Sequence, residues 1–199
     1  MTPPTVTAWT DYKSPYAYLA VEGTYALEDE GLARIDWRPY TLRIEEYLDP
    51  VETRTPHHWR RVRYSYMDAR RLANKRGLTV RGPQRIFNAE LSSAGMLWTQ
   101  RHGGFRAYHD RVFERFWKRE LDLDVPEQMA AVVDEVGGDG AAFLAWAEPE
   151  GRAEVRALAA EAEAAGVFGV PSFVLDGEIF WGGDRLDLLR ERLAERAPG

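Results

Sequence analysis

The sequence contains no cysteine. Disulfides, thiolate metal sites and a dithiol redox cycle run by the protein's own side chains are thereby excluded. Histidine is scarce as well, confined to His57, His58, His102 and His109. No two of these stand at i, i+4 and none lies in a HExxH pattern, so no metal site is expected. Apolar runs long enough to span a bilayer are missing, and no membrane association is expected. The opening residues, MTPPTVTAWT, have neither a basic n-region nor an apolar h-region. No secretory signal is read there, and a cytoplasmic location is the expectation. Excess positive charge is also absent: the net charge is −6. Nothing in that balance draws the chain toward nucleic acid or an anionic membrane. Internal repeats and low-complexity tracts are not found.

What is present is apolar material for one substantial core, with 45% hydrophobic and 12% aromatic residues in 199. Residues 5–10 alternate and predict a strand. Ser14-Pro15 then supplies an N-cap and a first-turn proline, predicting a helix over Pro15–Glu30 that Gly31 ends. Residues 33–38 alternate again, so the opening reads as a parallel strand–helix–strand unit. From about Thr55 to Trp146 the spacing is helical throughout. Helices are predicted over His57–Arg76, Ala89–Arg101 and Phe105–Arg119, from Pro126 to Gly137, and over 140–147. An alanine-rich helix over 150–165 follows. Ser172–Leu175 and Glu178–Trp181 read as strands joined by an Asp176-Gly177 hairpin turn. Asp184 is expected to cap a last helix with Leu186, Leu189 and Leu193 on its apolar face. Residues 1–45 and 150–199 thus form one α/β unit, and 46–149 an all-helical insertion.

Four features carry chemistry. Ser14-Pro15-Tyr16-Ala17 opens the first helix, where unpaired N–H groups and the helix dipole favour an anion. Ser14 could serve as a plain cap, or its hydroxyl could donate to a bound thiolate. Gly169-Val170-Pro171 precedes a strand and is compatible with a cis peptide bond. Such a turn can leave the Val170 N–H and C=O to pair with a ligand backbone. Trp181-Gly182-Gly183-Asp184-Arg185 suits close approach of a carboxylate, with Asp184 available to an ammonium. Finally, the stretch from Thr53 to Arg76 holds eight Arg and Lys against one acid, Asp68. It reads either as a solvated helix face or as a positive wall for an anionic ligand.

Taken together, these motifs resemble the family of kappa-class glutathione transferases and 2-hydroxychromene-2-carboxylate isomerases, relatives of the DsbA-type disulfide oxidoreductases. The likeness spans essentially the whole chain. It is strongest in Asp11–Ala20 and Gly166–Leu189, with a family-like spacing also in Tyr64-x-x-x-Asp68-x-x-Arg71-x-Ala73. The resemblance implies a thioredoxin-like, DsbA-like fold and glutathione as cofactor. Where redox relatives carry Cys-Pro-x-Cys, this chain has Ser14-Pro15-Tyr16-Ala17. The implied role of Ser14 is to hold the glutathione sulfur as thiolate. Pro171 would be cis, Val170 would pair with the cysteinyl backbone, and Gly183, Asp184 and Arg185 would meet the γ-glutamyl end. Tyr16, Arg60, Arg63 and Arg71 are the candidates for contact with an electrophilic, anionic aromatic substrate. A homodimer is implied as well. The chain departs from the family after its second strand. A Gly-Gly-x-x-x-Lys-x-x-Gly-Asn segment, whose lysine and asparagine contact ligand, is replaced by residues 41–47. The implied reaction is isomerisation by reversible thiolate addition. A transferase or peroxidase on the same site, or a non-catalytic glutathione-binding module, are the alternatives.

Overall fold

A computed structural model describes residues 2–45 and 50–196. Its four-stranded sheet has the order β2-β1-β3-β4, with β1 (Thr5–Thr10), β2 (Arg34–Pro39), β3 (Ser172–Leu175) and β4 (Glu178–Trp181). β1 pairs parallel with β2, Val6 opposite Ile35 and Ala8 opposite Trp37. It pairs antiparallel with β3, Ala8 opposite Phe173. β3 turns back into β4 through Asp176 and Gly177, both at positive φ, as a type I′ turn requires.

Helix α1 (Pro15–Asp29) crosses from β1 to β2. Ser14 caps it by accepting from the Ala17 N–H at 3.2 Å. At the far end Gly31 takes φ +70°, and the Leu32 N–H reaches the Leu27 carbonyl at 2.9 Å. That closure is the Schellman motif. The Ala33 N–H is bound to the same carbonyl. Ala33 is thus withdrawn from the sheet, and β2 starts one residue later than the alternation suggested.

The middle of the chain is helical as expected: α2 (Pro56–Lys75), α3 (Glu90–His102), α4 (Phe105–Lys118), α5 (Pro126–Glu135), α6 (Gly140–Trp146) and α7 (Arg152–Ala164). The alanine-rich helix begins later than residue 150, because α6 runs into it through a wide π-type turn at Ala147–Gly151. Pro149 lies inside that turn and cannot donate to an α-type ladder. The larger apolar cluster joins Ala17, Tyr18, Leu19 and Val21 of α1 to buried side chains of α3, α4, α5 and α7. A second cluster joins Val6, Ala8 and Phe173 of the sheet to Leu27 of α1 and to Leu189 and Leu193 of α8 (Leu186–Ala194). Of the two expected divisions between the α/β unit and the insertion, the first, after residue 45, adjoins residues 46–49, outside the described residues, and the second, after residue 149, falls within the π-type turn. No helix among the described residues is long and apolar enough to cross a membrane.

Asp184 does not cap α8, contrary to expectation. Residues Gly183–Arg185 form a 3-10 turn, and Arg185 holds the cap position without a side-chain bond to the helix. The turn closes through Arg185 N–H to the Gly182 carbonyl at 3.1 Å. It leaves the Asp184 carboxylate exposed, in an ion pair of 2.7 Å with Arg185.

The tightest packing lies in α3. A Cβ added at Gly95 would sit 2.0 Å from the Tyr108 hydroxyl oxygen. Tyr108 is fully buried and its hydroxyl donates to the Ser92 carbonyl at 2.9 Å, so the ring has nowhere to go. Gly95→Ala is expected to destabilise the fold by about 2 kcal/mol, overpacking outweighing the gain in helix propensity. Urea unfolding checks this. Tyr108→Phe in the same background removes the closest atom and should recover part of the loss.

Candidate active site

The loop from β1 into α1 is built around a buried carboxylate. Asp11 is 1% exposed. Its two oxygens accept from the Lys13 N–H at 2.8 Å and the Leu42 N–H at 2.7 Å. The Lys13 ammonium returns to the Leu42 carbonyl at 2.9 Å and lies 3.5 Å from Asp11. This network pins the segment after β2 to the start of α1 and leaves Ser14 at the helix end. Behind it, the Tyr12 hydroxyl bonds the Nδ1 of His109 at 3.0 Å. Burial lowers the His109 pKa to about 3, so this imidazole is neutral and structural. Burial also pushes the Tyr12 phenol well up.

Ser14 is 4% exposed. Its hydroxyl donates to the Val170 carbonyl at 3.3 Å while accepting from Ala17. The Val170–Pro171 bond is cis. The sequence suggested that both backbone groups of Val170 stand open. Only the N–H does: it has no hydrogen-bond partner among the described residues, whereas the carbonyl is engaged by Ser14. The next carbonyl, of Pro171, receives the Gly182 N–H at 2.9 Å. This ties the cis-proline turn to the loop carrying Gly183 and Asp184.

Ser14 and Val170 both open into a cavity of about 580 Å³. Its walls come from Lys13, Tyr16, Tyr40 and Leu42–Ile44, from Arg61, Val62, Tyr64, Ser65 and Tyr66 on α2, and from Phe168, Gly169 and Trp181. Phe168 and Trp181 are among the most exposed large apolar side chains, at 58% and 47%, and their rings meet at 4.8 Å. Gly169 allows that approach, since a Cβ there would lie 2.9 Å from the Trp181 indole nitrogen. Among the described residues, Lys13, Arg43 and Arg61 are the cations that line the cavity, and no carboxylate does.

Tyr16, a candidate for substrate contact, lines the cavity. Its hydroxyl donates to Asp68 at 3.1 Å and to the Ser65 carbonyl at 3.3 Å, joining α1 to α2. Burial raises its pKa. The three arginines proposed for substrate contact do not reach the wall: Arg60, Arg63 and Arg71 are exposed and outside the cavity lining. With 3.6 residues per turn, α2 turns Arg61 and Ser65 inward and these three outward. Gly183 packs against α1, its hypothetical Cβ 3.2 Å from Ala20 and 3.9 Å from the Tyr16 carbonyl. Gly183, Asp184 and Arg185 thus lie beside the first turns of α1 but off the cavity wall. Sequence reading missed Lys13, Arg43, Arg61 and Phe168. Lys13 and Phe168 each stand within two residues of a recognised motif residue, and that adjacency was the available signal. Among the described residues no cluster of three potential metal ligands occurs.

Comparison with known proteins agrees with this fold. The chain is 26% identical over 195 residues to a 2-hydroxychromene-2-carboxylate isomerase of Sphingobium xenophagum, covering 96% of this chain and 98% of that protein. It is 28% identical over 189 residues to the enzyme of the same name from Pseudomonas putida, covering 92% and 91%. A solved structure of 2-hydroxychromene-2-carboxylate isomerase superposes with a TM-score of 0.78 at 24% identity, over 96% of this chain and 95% of that one. Residues 5–194 match the DSBA-like thioredoxin domain. By that match, which spans nearly the whole chain, the protein belongs to the DSBA-like thioredoxin domain family.

Proposed function

We propose that this chain is a glutathione-dependent isomerase of the 2-hydroxychromene-2-carboxylate type, with Ser14 holding the glutathione thiolate. The observation that carries the reading is the position of the Ser14 hydroxyl, at the N-terminus of α1 and on the wall of a cavity that no carboxylate among the described residues lines. The residues present fit a thiol tripeptide. The open Val170 N–H, 8% exposed at the cavity wall, offers one backbone pairing beside Pro171. Gly183, Asp184 and Arg185 would take the γ-glutamyl end.

Glutathione, when bound, supplies a soft thiolate that adds reversibly to an electrophilic carbon, so that a double bond becomes rotatable until elimination. The chain's own residues do the rest. Ser14 exchanges its weak bond to the Val170 carbonyl for one to the sulfur; a hydroxyl rotor makes that switch freely. The α1 N-terminus adds its partial positive charge. Ser14 itself is no nucleophile in this reading, because no base among the described residues addresses it. The Asp11 oxygens are occupied by backbone N–H groups, and His109 is turned to Tyr12. Lys13, Arg43 and Arg61 favour an anionic substrate, and the aromatic pair at the mouth favours a flat one.

Conversion of 2-hydroxychromene-2-carboxylate, followed by absorbance with and without glutathione, tests the reading. S-methylglutathione, which lacks the thiol, should compete without supporting turnover. Equal rates with no thiol present would overturn it. Asp184 provides a second check. Asp184→Asn should leave the melting temperature nearly unchanged, since its pair with Arg185 is solvent-exposed. Glutathione affinity by calorimetry should fall about three- to tenfold, a modest loss because solvent screens this carboxylate. Unchanged affinity would remove Asp184 from the γ-glutamyl site.

A further inference from the structure

Helix α2 walls the cavity with Arg61, Val62, Tyr64, Ser65 and Tyr66. Its buried side chains are Ala69 and Ala73, and both lie beyond that lining stretch. An alanine removes little apolar surface from water, so packing holds the wall weakly. Further along, the Arg76 guanidinium donates to the Leu19 carbonyl of α1. On the cavity side the tie to α1 is Tyr16. Its one hydroxyl proton is shared between the Asp68 carboxylate at 3.1 Å and the Ser65 carbonyl at 3.3 Å. Asp68 is the single acid among eight Arg and Lys from Thr53 to Arg76. It forms no ion pair with any of them among the described residues and takes the phenol instead. Tyr16 also lines the cavity, two residues after Ser14. With its hydroxyl committed to α2, its ring is held between the head of α1 and the α2 wall.

We infer that Tyr16 is a positioning residue that determines specificity. By holding Ser65 and Asp68 it sets how far the lining half of α2 stands from the head of α1, and so the breadth of electrophile the cavity admits. A wall held in place favours the narrower of two flat substrates, and a released wall discriminates less. The inference rests on the isomerase reading for the identity of the substrate, and not for the latch itself.

Amide hydrogen exchange and steady-state kinetics test it together. Tyr16→Phe removes both bonds and should speed exchange across the lining half of α2 by about tenfold, with α3 to α5 unchanged. Asp68→Ala removes one bond and should give a smaller effect in the same place. Added to Tyr16→Phe it should do nothing more, since the two residues act through one contact. Asp68→Asn keeps an acceptor oxygen and should restore wild-type exchange. With 2-hydroxychromene-2-carboxylate, Tyr16→Phe should raise KM by about three- to tenfold and leave kcat within about twofold. A benzo-fused analogue with one more ring should lose less, so that the ratio of the two kcat/KM values moves at least about threefold toward the broader substrate. Unchanged exchange in Tyr16→Phe overturns the latch. Faster exchange with an unchanged substrate ratio overturns the role in specificity and leaves a plain bond between helices. If the wild type turns over neither substrate, the isomerase reading fails. Binding of 2-naphthol against 1-hydroxypyrene by calorimetry then reads the breadth of the cavity, and the same shift toward the broader ring system in Tyr16→Phe is expected. An unchanged binding ratio would again overturn the role in specificity.

Discussion

Ser14→Ala is expected to yield folded protein whose bound glutathione ionises one to two pH units higher. Two bonds are lost in the free protein: the cap to Ala17 and the donation to Val170. Together they cost about 1–2 kcal/mol, which a domain of ordinary stability survives. In the loaded protein the lost bond is charge-assisted, worth roughly 1.5–3 kcal/mol, and each pH unit corresponds to about 1.4 kcal/mol. The α1 N-terminus remains, so some depression of the thiol below its free value of about 8.5 should persist. Thiolate absorbance against pH measures the shift directly. The rate consequence has a defined pH dependence. Well below both pKa values, where the thiolate fraction limits addition, the variant should be about ten- to hundredfold slower. Above the higher pKa both forms are fully ionised, and the gap should narrow toward the intrinsic nucleophilicity difference. Superimposable titrations would reduce Ser14 to a helix cap. A deficit independent of pH would mean that it acts on substrate rather than on sulfur.

Why Ser14 was legible in the sequence, and Arg61 was not, follows from the range of the interactions involved. Ser14-Pro15 acts within one helical turn, and the Asp176-Gly177 turn within four residues. Both are local, and both form where expected. The cis Val170–Pro171 bond was read from the resemblance rather than from spacing, and it too is observed. The face that α2 shows to the cavity depends instead on how its largely polar surface settles against α1. Only Ala69 and Ala73 of that helix are fully buried, too few to mark an inward stripe amid so many arginines. Tyr16 supplies the missing constraint by bonding Ser65 and Asp68, a contact across some fifty positions of chain. Asp184 failed differently. Its sequence is that of a good cap, but the Gly182 N–H is held by the Pro171 carbonyl. The chain then enters α8 through a tighter turn, which directs the carboxylate away from the helix amides.

Below pH 6.5 the fold is expected to lose stability through a single side chain, His109. The imidazole is fully buried among Tyr12, Trp37, Phe105 and Phe113, with ring centroids 4.8–5.3 Å away. Its Nδ1 meets the Tyr12 hydroxyl, and its Nε2 has no partner among the described residues. No carboxylate among the described residues compensates a charge there, and burial depresses the pKa to about 3. In the unfolded chain the same group titrates near about 6.5. Between those values the unfolded state binds a proton that the folded state refuses, so stability falls as pH is lowered. The contribution is fully present above about pH 6.5 and declines by about 1.4 kcal/mol per pH unit beneath it. That is about 2 kcal/mol by pH 5 and about 4 kcal/mol by pH 3, where the folded group begins to protonate as well, a large part of the stability of a small domain. Because His109 anchors Tyr12, two residues before Ser14, the acid-weakened region is the one that carries the helix end. His109→Gln keeps a polar atom for Tyr12 and removes the titration. Urea unfolding at pH 7.5 and pH 5 should show the wild type losing about 2 kcal/mol more than the variant between the two conditions. The comparison concerns slopes, so a lower absolute stability of the variant does not affect it. Parallel losses in the two proteins would show that protonation of His109 is tolerated in the folded state, and that this aromatic cage is more open to water than its geometry indicates.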